Sequence, residues 1–123
     1  MRVQNSNVIN FFVKSRVLMF FMLFLGACGE NIESKLVHAA GTGNLEEVKR
    51  LSEKVTTFDY YGYDGLTPLT AAAMNKRWDV VVYLVENGAD VELSQRGGLN
   101  AIQWARKHNK QDIEMALIKK ASD

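Results

Sequence analysis

The chain has 123 residues and a formal net charge of +1, with 15 Lys and Arg against 14 Asp and Glu. That length fits one domain. One Pro, nine Gly and no long tract of like charge describe an ordinary globular composition and exclude the strongly basic chain that a nucleic-acid partner requires.

The first element in chain order is an apolar run, Val17-Leu18-Met19-Phe20-Phe21-Met22-Leu23-Phe24-Leu25, preceded by Lys14 and Arg16 and followed by Gly26-Ala27. A positive region, a short apolar core and a small-residue end make the pattern of a secretory signal peptide. The run is too short for a membrane span, which needs about 20 apolar residues. Extending it back to Val8 would bury Asn10, Lys14 and Arg16.

The single cysteine, Cys28, directly follows the small residues. Leu25-Gly26-Ala27-Cys28 resembles the lipobox of bacterial lipoproteins. The resemblance implies a diacylglyceryl group on the Cys28 sulfur and cleavage before that residue. Two or more acyl chains hold a protein firmly on a bilayer. Gly29 stands where an aspartate would resemble an inner-membrane retention signal, so the expected site is the outer membrane, facing the periplasm. The expected organisation is a signal peptide over 1–27, a short tether over 28–33 and a domain over 34–123. The tether spans at most about 20 Å when extended.

The segment before the apolar run is long for a signal peptide. A start at Val13 in place of Met1 gives a compact one, Val13-Lys14-Ser15-Arg16 leading into the run. The expectation is that Val13 is the true start. A reporter fusion that loses expression when codon 1 is altered, but keeps it when codon 13 is altered, overturns this.

Beyond Cys28 the balance is 12 basic to 14 acidic residues, a net charge of −2. Residues 28–92 carry six basic and 11 acidic side chains, and residues 93–123 carry six and three. Such two-ended charge serves to orient a partner, and it also arises from solvated helix faces.

A 33-residue period runs through this region. It is sought before other patterns because it fixes the architecture. Thr67-Pro68-Leu69-Thr70-Ala71-Ala72-Ala73 aligns back onto Ser34-Lys35-Leu36-Val37-His38-Ala39-Ala40 and forward onto Asn100-Ala101-Ile102-Gln103-Trp104-Ala105-Arg106. Leu51, Leu84 and Leu117 are also in register. Ser34, Thr67 and Asn100 are all residue types that cap a helix N-terminus. Pro68 suits a first helical position. Leu36, Leu69 and Ile102 enter a core one turn on, and the alanines let neighbouring helices approach. Gly43 and Gly88 suit left-handed helix ends, and Gly65 and Gly98 suit positive φ at a tight turn. Val80 to Val85 have strand propensity, but registration with residues 47–51 and 113–117 predicts a helix.

The middle unit, Gly65-Leu66-Thr67-Pro68-Leu69, Ala72-Ala73, Asp79-Val80-Val81, Leu84-Val85 and Asn87-Gly88-Ala89-Asp90-Val91, resembles the ankyrin repeat. The outer units match it less closely. The first has Val55 where glycine is usual, and the third has Ala101 for proline and Asn109 for glycine. Terminal units are atypical in such stacks because one face meets solvent. The resemblance implies an all-α repeat solenoid of three helix-turn-helix units, at about 34–66, 67–99 and 100–123, with short β-hairpin fingers along one edge.

Little in the residues points to catalysis. His38 and His108 are far apart in sequence, and His38 beside the paired alanines is expected to be packed or half-buried. No Cys or His spacing suits zinc, and no phosphate-cradling loop is present. The expectation is no enzyme, no metal, no cofactor, no nucleic acid and no small-molecule substrate.

A protein-binding surface remains. In the ankyrin family partners meet the finger tips and the exposed face of the first helices. The matching positions here are Tyr61, Tyr63, Asp64, Leu66, Met74 and Asn75, and in the third unit Ser94, Arg96, Leu99, Lys107 and His108. Tyrosine and arginine suit interface anchors. Phe58, the counterpart of Val91, is expected to fill the space between finger and helices, and Trp78 and Trp104 to lie in the core. The function expected is a lipid-anchored adaptor that binds an unidentified protein at the bacterial cell envelope. The alternatives are an immunity or inhibitor protein that neutralises a specific toxin or enzyme, and a structural module of a larger envelope assembly.

Overall fold

The computed structural model describes residues 31–123, and the apolar run, both candidate starts and Cys28 lie outside them. Six helices follow in chain order: α1 (Ile32–Thr42), α2 (Leu45–Ser52), α3 (Pro68–Met74), α4 (Trp78–Glu86), α5 (Ala101–Lys107) and α6 (Gln111–Ser122). They form three hairpins. Within each hairpin the helices pack on one another, α1 on α3 and α3 on α5 form an inner row, and α2, α4 and α6 form an outer row. The 33-residue period is therefore the repeat of one helix pair, and Val80 to Val85 are helical as registration predicts.

The starts of α3 and α5 follow from their capping chemistry. The Thr67 and Asn100 side chains accept from the Thr70 and Gln103 N–H groups, and the side chains of Thr70 and Gln103 accept in return from the cap N–H groups. These capping boxes satisfy donors that a helix start leaves unpaired. Pro68 occupies a first-turn position. The first unit departs from the pattern. Ser34 lies inside the first turn of α1 and not at its N-cap position, because the helix begins at Ile32. Half-buried Ile32 packs on the core, which draws the first turn forward, and Glu33 suits the positive end of the helix.

Each inner helix stops through the same turn. The carbonyls of Ala39, Ala72 and Ala105 accept from Asn44, Arg77 and Lys110, five residues on, at 3.0, 2.8 and 2.9 Å. This is the long bond of a Schellman motif, which requires a left-handed residue just before the donor. Gly43, Lys76 and Asn109 take that position with φ of 80, 61 and 58°. Glycine and asparagine tolerate it; lysine does not do so readily.

The core is built from registered positions. Leu36, Leu69, Leu51, Leu84 and Leu117 are buried, with Ala39, Ala72 and Ala105 between them. Phe58, Trp78 and Trp104 are partly buried and pack against this core, as expected, and so does Tyr60. One core contact changes chemistry in the last unit. Ala40 and Val48, then Ala73 and Val81, are buried, but the next positions in register are Arg106 and Glu114. These two form an ion pair, with Arg106 Nη2 2.6 Å from a Glu114 carboxylate oxygen. A salt bridge replaces an apolar contact where the stack meets solvent.

The fingers are simpler than the β-hairpins expected. Among the described residues there is no strand, only an isolated antiparallel bridge between Ser94 and Asn100. Each finger is a turn closed by one further bond, Gly62 N–H to Leu66 O at 2.8 Å and Gln95 N–H to Leu99 O at 3.2 Å. The chain then goes straight into a helix cap, leaving no residues for a ladder. Gly65 has φ of 76° as predicted, but in the second finger the left-handed residue is Gly97, not Gly98. The bond from Gly98 N–H to Gln95 O places Gly97 third in that turn, where a type II turn demands positive φ.

Lys76 supplies a test of the helix-end argument. A left-handed non-glycine residue costs about 1–2 kcal/mol, and glycine returns part of that as unfolded-chain entropy. Lys76→Gly is expected to stabilise the domain by about 0.5–1 kcal/mol, and Lys76→Ile to destabilise it. Urea unfolding of the two variants decides; a less stable glycine variant refutes the argument.

Candidate protein-binding surface

The period places His38, Ala71 and Trp104 in one row along α1, α3 and α5, and Thr42, Asn75 and His108 in the next. The first finger stands beside the first row. Ser34, Val37, His38, Gly62, Tyr63, Asp64 and Ala71 line a groove of about 210 Å³ there. A second groove, of about 430 Å³, continues along α1 past Ser34, His38 and Thr42 to Asn44 and Glu47. His38 is exposed and forms a wall of both grooves. This corrects the expectation of a packed or half-buried side chain. Among the described residues α1 is the first helix of the inner row, and its row position faces the groove. The registration with Ala71 and Trp104 carried this information, but the adjacent alanines suggested packing.

The predicted finger residues have different roles. Tyr63 is 93% exposed and Tyr61 40%. The Arg96 guanidinium lies over the Tyr61 ring, 5.4 Å from its centroid, a contact that holds the two fingers side by side. The backbone reinforces it. Arg96 N–H donates to Gly65 O at 3.0 Å, and Asp90 N–H donates to an Asp59 carboxylate oxygen at 3.0 Å. A Cβ on Gly65 would meet the Arg96 Cβ at 3.2 Å, so glycine there permits close approach as well as positive φ. Asp64 accepts from Leu66 N–H at 3.2 Å and braces its own turn. Leu66, Ser94 and Leu99 are half-buried at the finger bases.

The helix residues divide as well. Met74 is half-buried. Exposed Asn75 donates from its side-chain amide to Ala71 O at 2.9 Å, so it caps α3. His108 is half-buried, stacked on Trp104 with ring centroids 5.6 Å apart and edge-on to Trp78 at 5.9 Å. The Lys107 ammonium lies 4.7 Å from the centroid of the Trp104 ring. Structure thus brings Lys107 and His108 together around Trp104, and Tyr61 and Arg96 together at the fingers. No three His, Cys, Asp or Glu residues are grouped to hold a metal ion among the described residues. None of their helices is long and apolar enough to cross a membrane.

Residues 5–95 match the family described as ankyrin repeats, three copies. The chain belongs to the ankyrin-repeat family. It is 32% identical over 87 residues to the Notch-regulated ankyrin repeat-containing proteins of Xenopus tropicalis and Homo sapiens, covering 68% of this chain and 76% of each relative. It is also 45% identical over 73 residues to Palmitoyltransferase AKR1 of Yarrowia lipolytica, covering 58% of this chain and 10% of that protein. Ankyrin repeats imply protein–protein interaction. The geometry agrees with that role: a preformed groove, exposed aromatics and fingers locked to one another.

Tyr60, next to the predicted tyrosines, turns inward in this ankyrin stack. Its hydroxyl donates to Glu33 O at 3.3 Å. Burial, followed by the neighbouring Glu33 carboxylate, pushes its pKa above the ordinary 10.0. The sign follows from linkage. Below the ordinary value both folded and unfolded tyrosine are neutral and the stabilisation is complete. As pH rises beyond that value the unfolded chain ionises first and stability falls. Tyr60→Phe is therefore expected to flatten the loss of thermal stability above pH 10. An unchanged alkaline slope in this variant refutes the assignment.

Proposed function

We propose that this chain is a lipid-anchored adaptor, non-catalytic, that holds a protein partner at the bacterial cell envelope, on the outer membrane facing the periplasm. The observation that carries the binding reading is Tyr63, 93% exposed beside the groove walled by His38. A large amphipathic side chain held on a rigid turn offers contact area at low entropic cost. Tyr61, braced by Arg96, extends the same edge towards the second finger. The mechanism is stoichiometric capture, with no covalent step.

The anchor and the location rest on the sequence of residues 14–29 alone. α1 begins four residues beyond Cys28, so a lipid on that sulfur keeps the repeats close to the bilayer surface.

Crosslinking in cells with a tagged full-length chain tests both halves. Replacing Tyr61 and Tyr63 together by Ala is expected to lower capture of the crosslinked partner at least about tenfold, the scale of losing an interface anchor, with the helical spectrum unchanged. Cys28→Ala is expected to abolish palmitate labelling and membrane retention. Full capture by the folded double variant removes the tyrosine site, and a palmitate label that survives Cys28→Ala removes the anchor.

A further inference from the structure

At Ile118 the last helix leaves apolar surface uncovered that the preceding unit buries, and at Met115 it extends a face already exposed at Val82, 37%, one period earlier. Ile118 is 45% exposed, whereas Val85, its counterpart one period earlier, is 6% exposed. Met115 on the same helix is 68% exposed. The polar cap provided by Arg106 and Glu114 does not extend to these two side chains.

Their spacing defines a seam. Gln111, Met115, Ile118 and Ser122 recur at intervals of four, three and four residues, which places them on one helix face. All four are exposed, while Leu117 points into the core. The interval pattern is that of a two-helix packing stripe. Asp112 and Lys119, seven residues apart and both exposed, run along one flank of it.

We propose that this face of α6 pairs with the same face of a second copy of the chain, antiparallel, about a two-fold axis passing between Ala116 and Leu117. In that arrangement Met115 meets Ile118 of the second copy. Asp112 lies beside Lys119 of the second copy, and each contact occurs twice, as an isologous interface requires. The charges select the direction. A parallel alignment would set the acidic first turns containing Asp112 and Glu114 against each other, and likewise the basic last turns containing Lys119 and Lys120. Antiparallel pairing joins unlike ends and opposes the helix dipoles. Two apolar side chains per copy bury far less than the ~1,200 Å² of a standard interface, so the pair is weak and concentration-dependent. This surface is separate from the fingers and needs no other partner.

Sedimentation equilibrium in detergent of the full-length chain carrying Cys28→Ala, which can form neither a lipid anchor nor a disulfide, tests the proposal. A monomer–dimer equilibrium is expected. Ile118→Lys should weaken it at least about tenfold while circular dichroism and melting stay unchanged. Asp112→Lys should also weaken it, and Asp112→Lys combined with Lys119→Glu should restore it, because the swapped charges still match across an antiparallel pair. A chain that stays monomeric at every concentration overturns the proposal. So does a dimer that Ile118→Lys leaves intact, or a charge swap that fails to rescue. Binding to phosphatidylglycerol vesicles that Ile118→Lys abolishes, in a chain that does not dimerise, would assign the face to lipid instead.

Discussion

The turn between paired helices rests on one hydrogen bond made three times, from the N–H of Asn44, Arg77 and Lys110 to the carbonyl of the alanine five residues earlier. The bond reverses the chain within a few residues and so fixes how each outer helix lies on its inner one. The accepting alanines are also the small buried residues between neighbouring units. One position thus sets both the geometry within a hairpin and the distance between hairpins. The stacking of rows, the edge on which the fingers stand and the groove beside them all follow.

Legibility in the sequence tracked this constraint. The alanines, leucines and capping residues of the second and third units were readable because each answers to a single local requirement. The failures occurred where two requirements met. Ser34 has capping chemistry, but packing of Ile32 carries α1 past it. The left-handed position was visible at Gly43, whereas at Lys76 residue type disguised it. In the second finger two adjacent glycines were available, and only the turn bond shows which one takes positive φ.

The candidate surface was legible to a different degree. The period placed these residues on the fingers and the inner row of helices, because a scaffold position is periodic whatever residue occupies it. It did not separate side chains that face outward from those that hold the surface together. Asp64, Asn75 and His108 spend polar atoms or ring faces on their own turn, helix end or neighbouring rings. Tyr60 and Tyr61 are adjacent, yet one is half-buried and bonded to α1 and the other lies under an arginine. His38 was missed for the converse reason, since its place among alanines suggested burial while its row faces the groove.

Arg96 joins the first finger both by its backbone and by its side chain, and Asp59 reaches the backbone of the loop after α4. The two loops therefore behave as a single plate and not as independent hinges. Ordering one of them for a partner orders the other at no added entropic cost. A residue in the second finger can then alter how stiffly the first resists being bent open, without lying on the first finger itself.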